Sequence, residues 1–284
     1  MAMWKQSLIP ITTLGFFQAA LAEVNSTKGW RNPPFWRGHG DESWGLRPEI
    51  FREPGYAEGE EGSMLVNLAM RGFVRMANPP PIRDRVAWIH LAQHYGLPTR
   101  LLDWSMSPLV ALYFAVYDET GHDRDGCIWA LHPYALNFQH QGIDAIVSAT
   151  SHRIEPLINA AFDNEAPTPD VSVAAIMAAE TDLRMLVQQA AFTIHSNAEN
   201  LADNSPLGDS AARMPMLYKF LVPAAAKGSL KGWMKVAGIS RISLFPDLIG
   251  LVDEMKEAIR EDRRRGIAFD RPVQPELLLD LPQQ

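Results

Sequence analysis

Residues 91–116 read LAQHYGLPTRLLDWSMSPLVALYFAV, and the alternation of apolar and polar blocks in them decides the fold. The stretch opens on the end of a helix predicted over Arg83 to Tyr95, in which Val86, Ile89, His90 and Gln93 take inward or cleft-facing positions. Gly96 and Pro98 stop that helix. The stretch closes on Leu109 to Tyr117, which is apolar enough to form a buried helix. Between them a polar turn carries Gln93, His94, Tyr95, Arg100, Asp103, Ser105 and Ser107. Polar groups flanked by buried segments each need a partner. Two arrangements supply one: an internal network, for example Arg100 with Asp103, or a ligand site where an arginine, a histidine and hydroxyls converge. Spacing alone leaves both open.

Outward from this stretch, helical and strand patterns alternate irregularly. Asn32, Pro33 and Pro34 break the chain and lead it into an extended segment at Phe35 to Gly38. Gly55 to Gly62 reads as an exposed acidic loop with solvated charges, followed by a helix over Met64 to Met76 that Pro79 to Pro81 terminates. Gly126 to His132, Ala190 to His195 and Tyr218 to Val222 are strand candidates. Ala135 to about Ala179 reads as interrupted helix with a loop at Asn164 to Asp170. Gly228 to Ala237 and Leu248 to Arg264 read as the last two helices, the second ending in the solvated run Arg260 to Arg265. No repeat or Gly/Ser linker divides the chain. The expected class is therefore α+β, a mixed sheet with a surrounding helical layer and a helical insertion. The expected boundaries are an N-terminal helix in residues 1–27, one domain over 28–265 and a tail at 266–284.

Composition narrows the function classes. A 284-residue chain that is 47% hydrophobic and 21% charged can bury a core without staples. A formal net charge of −7 argues against non-specific grip on a nucleic-acid backbone, which needs clustered Lys and Arg. The lone Cys127 excludes an intrachain disulfide, and the cytosol is the default compartment. The N-terminal LIPITTLGFF followed by QAALAEV imitates a secretory signal. The favoured reading is a helix capped by Thr12 or Thr13, with Leu14, Phe17, Leu21 and Val24 on one face. No stretch approaches the ~18 uninterrupted apolar residues of a membrane span.

Phosphate-loop, dinucleotide-fingerprint and zinc-ribbon patterns are missing. His90 and His94 stand four apart on one helix face, as in zinc proteases, but Leu91 occupies the position where that motif carries glutamate. The expectation is no metal, with both histidines capping or lining a cleft.

Several blocks in order resemble the FRG-domain family: FWRGHGDESWGLRPEIFR at Phe35 to Arg52 and WIHLAQHYGLPTRLLDWSMSPLVALYFA at Trp88 to Ala115, then GCIWAL at Gly126 to Leu131, RMLVQQAAFTIH at Arg184 to His195 and LFPDLIGL at Leu244 to Leu251. The likeness runs from about residue 12 to residue 260. Ala190 departs from it, standing where the family's Gln-x-Gly-x-Phe pattern has glycine. FWRG and DWSMSPLVALYFA also resemble, more distantly, the arginine–serine–glutamate ADP-ribosyltransferases, in which an Arg-Gly strand and a serine-bearing strand leading into a helix hold NAD.

That second resemblance implies a site and a fold of ADP-ribosyltransferase type. Arg37 would grip a pyrophosphate, because a guanidinium offers charge with paired donors. Ser105 or Ser107 would orient the nicotinamide ribose, and Tyr95, Trp104 or Tyr113 would stack on a flat ring. The third element of the pattern, a glutamate two residues after a Gln or Glu, falls on Ala190 if Gln188 is the first position. Asp103, Glu180 and Asp182 are the remaining carboxylates. The expected catalytic set is Arg37, His94, Asp103 and Ser107. The expected nucleotide contacts are Arg37, Gly38, Tyr95, Arg100, Trp104, Ser105, Tyr113 and Gln188, with NAD bound. The implied activity is ADP-ribosyl transfer or NAD glycohydrolysis in a mobile-element or phage-conflict setting, with an unidentified macromolecular acceptor. Two competing readings are a non-catalytic module binding a protein or nucleic-acid end, and a hydrolase using His94 with a nearby carboxylate.

Overall fold

In a computed structural model the chain is described at residues 4–7, 9–52, 54–117, 123–163, 165–166, 169–202, 216–264 and 266. The expected tail at 266–284 therefore lies, beyond Gly266, outside the described residues, as does part of the Asn164 to Asp170 loop. Two compact units divide between Ile239 and Ser240.

The first unit is built on one mixed sheet of eight described strands: β1 (Trp4–Gln6), β2 (Phe35–His39), β3 (Leu101–Ser105), β4 (Gly126–Leu131), β5 (Val147–Ser148), β6 (Val173–Met177), β7 (Ala190–His195) and β8 (Leu217–Val222). Their spatial order is β1-β8-β4-β2-β3-β7-β6-β5, parallel at the two outermost pairs and antiparallel between them. The expected α+β class is what the chain adopts. The strand period places Leu101, Ala174, Phe192 and Ile194 in one apolar layer, while Leu102, Val173, Ala175 and Ala191 enter a second. Helices α2 (Glu60–Gly72), α3 (Arg85–His94) and α6 (Glu155–Phe162) cover the first layer through Leu65, Ile89, Ala92 and Leu157. Helix α5 (Pro133–Gln141) contributes Leu136 to the second.

Helix α1 (Leu14–Ser26) is capped by Thr13, whose hydroxyl accepts from Phe16 N–H at 3.4 Å, and it buries Phe17, Ala20 and Val24. Helix α4 (Pro108–Tyr117) is almost wholly buried, as its composition requires. It packs so closely on β2 that a Cβ on Gly38 would lie 1.8 Å from the Ala111 carbonyl oxygen. Gly38 is therefore required by helix packing as well as by anything it does at a site. Helices α7 (Leu183–Val187) and α8 (Ala224–Val236) complete this unit. In the second unit, α9 (Arg241–Leu244) and α10 (Leu248–Arg264) are joined by Glu254, whose Oε2 accepts from Ser240 Oγ at 2.8 Å and from the Ile242 N–H at 2.7 Å.

Four sequence expectations are corrected. The interrupted-helix reading of 135–179 misses β5 and β6, because Val173–Met177 is held between neighbouring strands and buried on both faces, which overrides its alanine content. The polar turn of 93–107 contains a regular strand, β3, with Asp103 opposite Phe192. The acidic loop of 55–62 is partly the first turn of α2, and Glu61 is buried instead of solvated. The helix expected from Gly228 begins four residues earlier, after Pro223. Among the described residues no helix is long and apolar enough to cross a membrane.

Candidate functional site

A cavity of about 210 Å³ lies where the sheet surface of β2, β3 and β7 meets α3, α4 and α7. The helical period of α3 puts His90, Gln93 and His94 on its wall, and the strand period of β3 and β7 does the same for Asp103, Ser105, Ala190 and Phe192.

Arg37 enters where the ladder between β2 and β3 narrows to a single pair, Trp36 with Ser105. Its Nη1 donates to the Asp103 carbonyl oxygen at 2.5 Å, and its Nε donates to His39 Nε2 at 2.9 Å. To accept that bond, His39 must be neutral, and burial together with the neighbouring guanidinium holds its pKa well below the usual imidazole value. Burial lowers Arg37 to about 10, against which the Asp103 charge works in the opposite direction, so the guanidinium stays protonated at neutral pH. Among the described residues no carboxylate is in ion-pair contact with it.

Asp103 carries the facing negative charge. Its Oδ2 accepts from Gln93 Nε2 at 2.9 Å, and Gln93 in turn accepts from the Thr99 hydroxyl. The carboxylate is exposed on the cavity side. His94 Nδ1 lies 3.1 Å from Asp182 Oδ2, which ties the end of α3 to the start of α7. Ser105 is spent on the scaffold: its Oγ donates to the Gln188 carbonyl at 2.6 Å and accepts from Ser107 N–H at 2.9 Å. At the next residue Gln189 adopts φ +47°, a left-handed conformation stabilised where its carbonyl accepts from Met106 N–H at 2.9 Å. Trp104 borders the cavity while its indole N–H donates to Thr193 Oγ1 at 3.0 Å inside the core.

The residues expected from sequence therefore separate into two groups. Arg37, Gly38, His94, Asp103, Trp104, Ser105 and Gln188 converge on the cavity. Tyr95, Arg100, Ser107 and Tyr113 do not line it. Tyr95 is exposed at the end of α3, and Tyr113 is buried against Tyr117 at 4.2 Å. Ser107 stands just before α4. Arg100 pairs with neither Asp103 nor the cavity. Its Nη2 and Nε donate to Glu61 Oε2 at 2.7 and 2.9 Å, with both residues buried. Of the remaining carboxylates, Asp182 caps α7 by accepting from Met185 N–H at 2.9 Å, and Glu180 is exposed away from the lining. His90, expected to face inward or line a cleft but not assigned to the nucleotide site, lines the cavity, and Arg184 lines it without having been expected there. The i, i+3, i+4 spacing of His90 with Gln93 and His94 was the available signal. No group of three or more His, Cys, Asp or Glu placed to hold a metal ion occurs among the described residues.

Residues 32–124, which supply β2, β3, α3 and α4, match the model of the FRG domain. Over those residues the chain is similar to the FRG domain. No match was found among curated proteins or among solved structures. The matched segment holds Arg37, Gln93, His94 and Asp103, whereas Gln188, Ala190 and Phe192 come from beyond residue 124.

Proposed function

We propose that this cavity binds a nucleotide of the NAD class. The observation that carries this reading is a protonated guanidinium with no carboxylate in ion-pair contact among the described residues, placed on the same cavity as an exposed carboxylate. A phosphate satisfies the first group, and ribose hydroxyls donate to the second. Arg37 is already aligned by His39 and the Asp103 carbonyl, so binding an anion costs little side-chain ordering.

With NAD as substrate, the reaction that suits this wall is cleavage of the bond between the nicotinamide nitrogen and ribose C1′. Nicotinamide leaves with the bonding electron pair, and positive charge develops on C1′ and the ring oxygen. Asp103, oriented by Gln93, stabilises that charge. Water or an acceptor nucleophile then forms the new bond to C1′ and releases a proton. In this role Asp103 replaces the glutamate absent at Ala190.

Calorimetric titration with NAD tests the reading. Arg37→Ala is expected to weaken binding about 10- to 100-fold, the worth of a charge-assisted hydrogen bond in a sheltered site. Absence of heat with the wild type, or equal affinity in the two proteins, sinks it.

A further inference from the structure

His90 precedes His94 by one helical turn on the same wall of α3 and lines the cavity beside Phe192, whose ring centroid is 4.6 Å from its own in an edge-to-face arrangement. The residue is 8% exposed, and neither ring nitrogen has a hydrogen-bond partner among the described residues. A buried imidazole without partners forfeits the solvation of two polar atoms, and such groups in folded proteins call for a reason. Its neighbours offer no structural one: Ile89 and Ala92 beside it on α3 are fully buried and apolar.

Resting on the nucleotide reading of the cavity, we infer that His90 is a ligand-recognition residue, reading an uncharged group that carries a hydrogen-bond donor beside an acceptor. An unsubstituted carboxamide or the edge of a nucleobase has this chemistry. A neutral imidazole can meet one atom of such a group through whichever nitrogen faces it, since one ring nitrogen donates and the other accepts. Burial holds the ring neutral, with its pKa lowered to about 4, so His90 neither attracts anions nor delivers a proton at neutral pH. Arg37 and Asp103 supply charge elsewhere on the same lining. His90 and Phe192 form the part of the wall suited to a flat, uncharged end.

The test uses the full chain with NAD and with ADP-ribose, which lacks the nicotinamide. His90→Phe keeps a flat ring and removes both nitrogens, and His90→Leu is the second variant should the first fail to fold. NAD affinity is expected to fall about 10-fold or more in the variant. His90→Gln, which retains a donor and an acceptor, is expected to recover part of the loss. If ADP-ribose affinity is unchanged, the group read is the carboxamide; if it falls in step, the group is the nucleobase edge. Either result supports the inference. Wild-type affinity for NAD in both apolar variants overturns it while leaving the nucleotide reading intact. A wild type that binds neither molecule overturns both.

Discussion

Lowering the pH from 7 to 5 is expected to cost this protein several kcal/mol of stability. Four buried imidazoles carry the effect. Burial lowers His90 and His132 to about 4 and His195 to about 3, and His39 lies well below the usual value because of burial and the adjacent Arg37. Above pH 6.5 each ring is neutral in both the folded and unfolded states and adds no pH dependence. As pH falls below 6.5 the unfolded chain takes up protons that the folded state refuses, so stability is lost progressively until about pH 4 to 3. A ring whose pKa is lowered from 6.5 to about 4 accounts for ~3 kcal/mol over that window, and native domains have only ~5–15 kcal/mol in total. Urea unfolding at pH 7, 6 and 5 measures the effect, and a midpoint that stays constant across this range overturns it. The alignment of Arg37 is coupled to the same titration, because a protonated His39 can no longer accept from Arg37 Nε.

Arg100→Ala is expected to lower the unfolding free energy by about 3–5 kcal/mol, the cost of leaving one member of a buried ion pair uncompensated. Glu61 would keep neither of its guanidinium contacts, and the Leu157 and Ala160 carbonyls would lose the donors that close α6 against β3. The double variant Arg100→Met with Glu61→Leu is expected to recover most of the loss, since an apolar pair of similar volume can be nearly as stable as the ion pair. Some loss should persist, because the Arg100 backbone N–H donates to Glu61 Oε1 at 2.8 Å and would be left without its acceptor. Chemical denaturation reads both variants. A single-variant loss under about 1 kcal/mol would show that solvent reaches the pair.

These two expectations follow from the part of the molecule least visible beforehand. Sequence reading recognised that residues 93–107 are too polar for an ordinary core and left open an internal network or a ligand site. The folded chain holds a buried ion pair and, apart from it, a cavity. Asp103 points to the cavity, while Arg100 turns from it to meet Glu61. Glu61 stands 39 residues earlier, in a run of acidic residues that composition alone marks as solvated. No local pattern reveals that one of three glutamates faces inward.

What the sequence by itself determined are the features that depend on neighbours along the chain. The α+β class, the extended FWRG segment, the strands at 126–131 and 190–195, the apolar helix after Pro108 and the Thr13 cap all follow from local periodicity, breakers and capping chemistry. Arg37 and Asp103, named as candidates through the family resemblances and the polar character of 93–107, both line the cavity. Tertiary structure alone decided that β6 is a strand, since its pairing with β7 supplies what alanine-rich sequence does not. It decided that Gly38 serves α4 and that Ser105 holds the Gln188 turn. It also left both His90 ring nitrogens without a hydrogen-bond partner among the described residues. Each of these depends on which distant group arrives opposite a residue, and that is set by the folded sheet and its helical cover, not by local order along the chain.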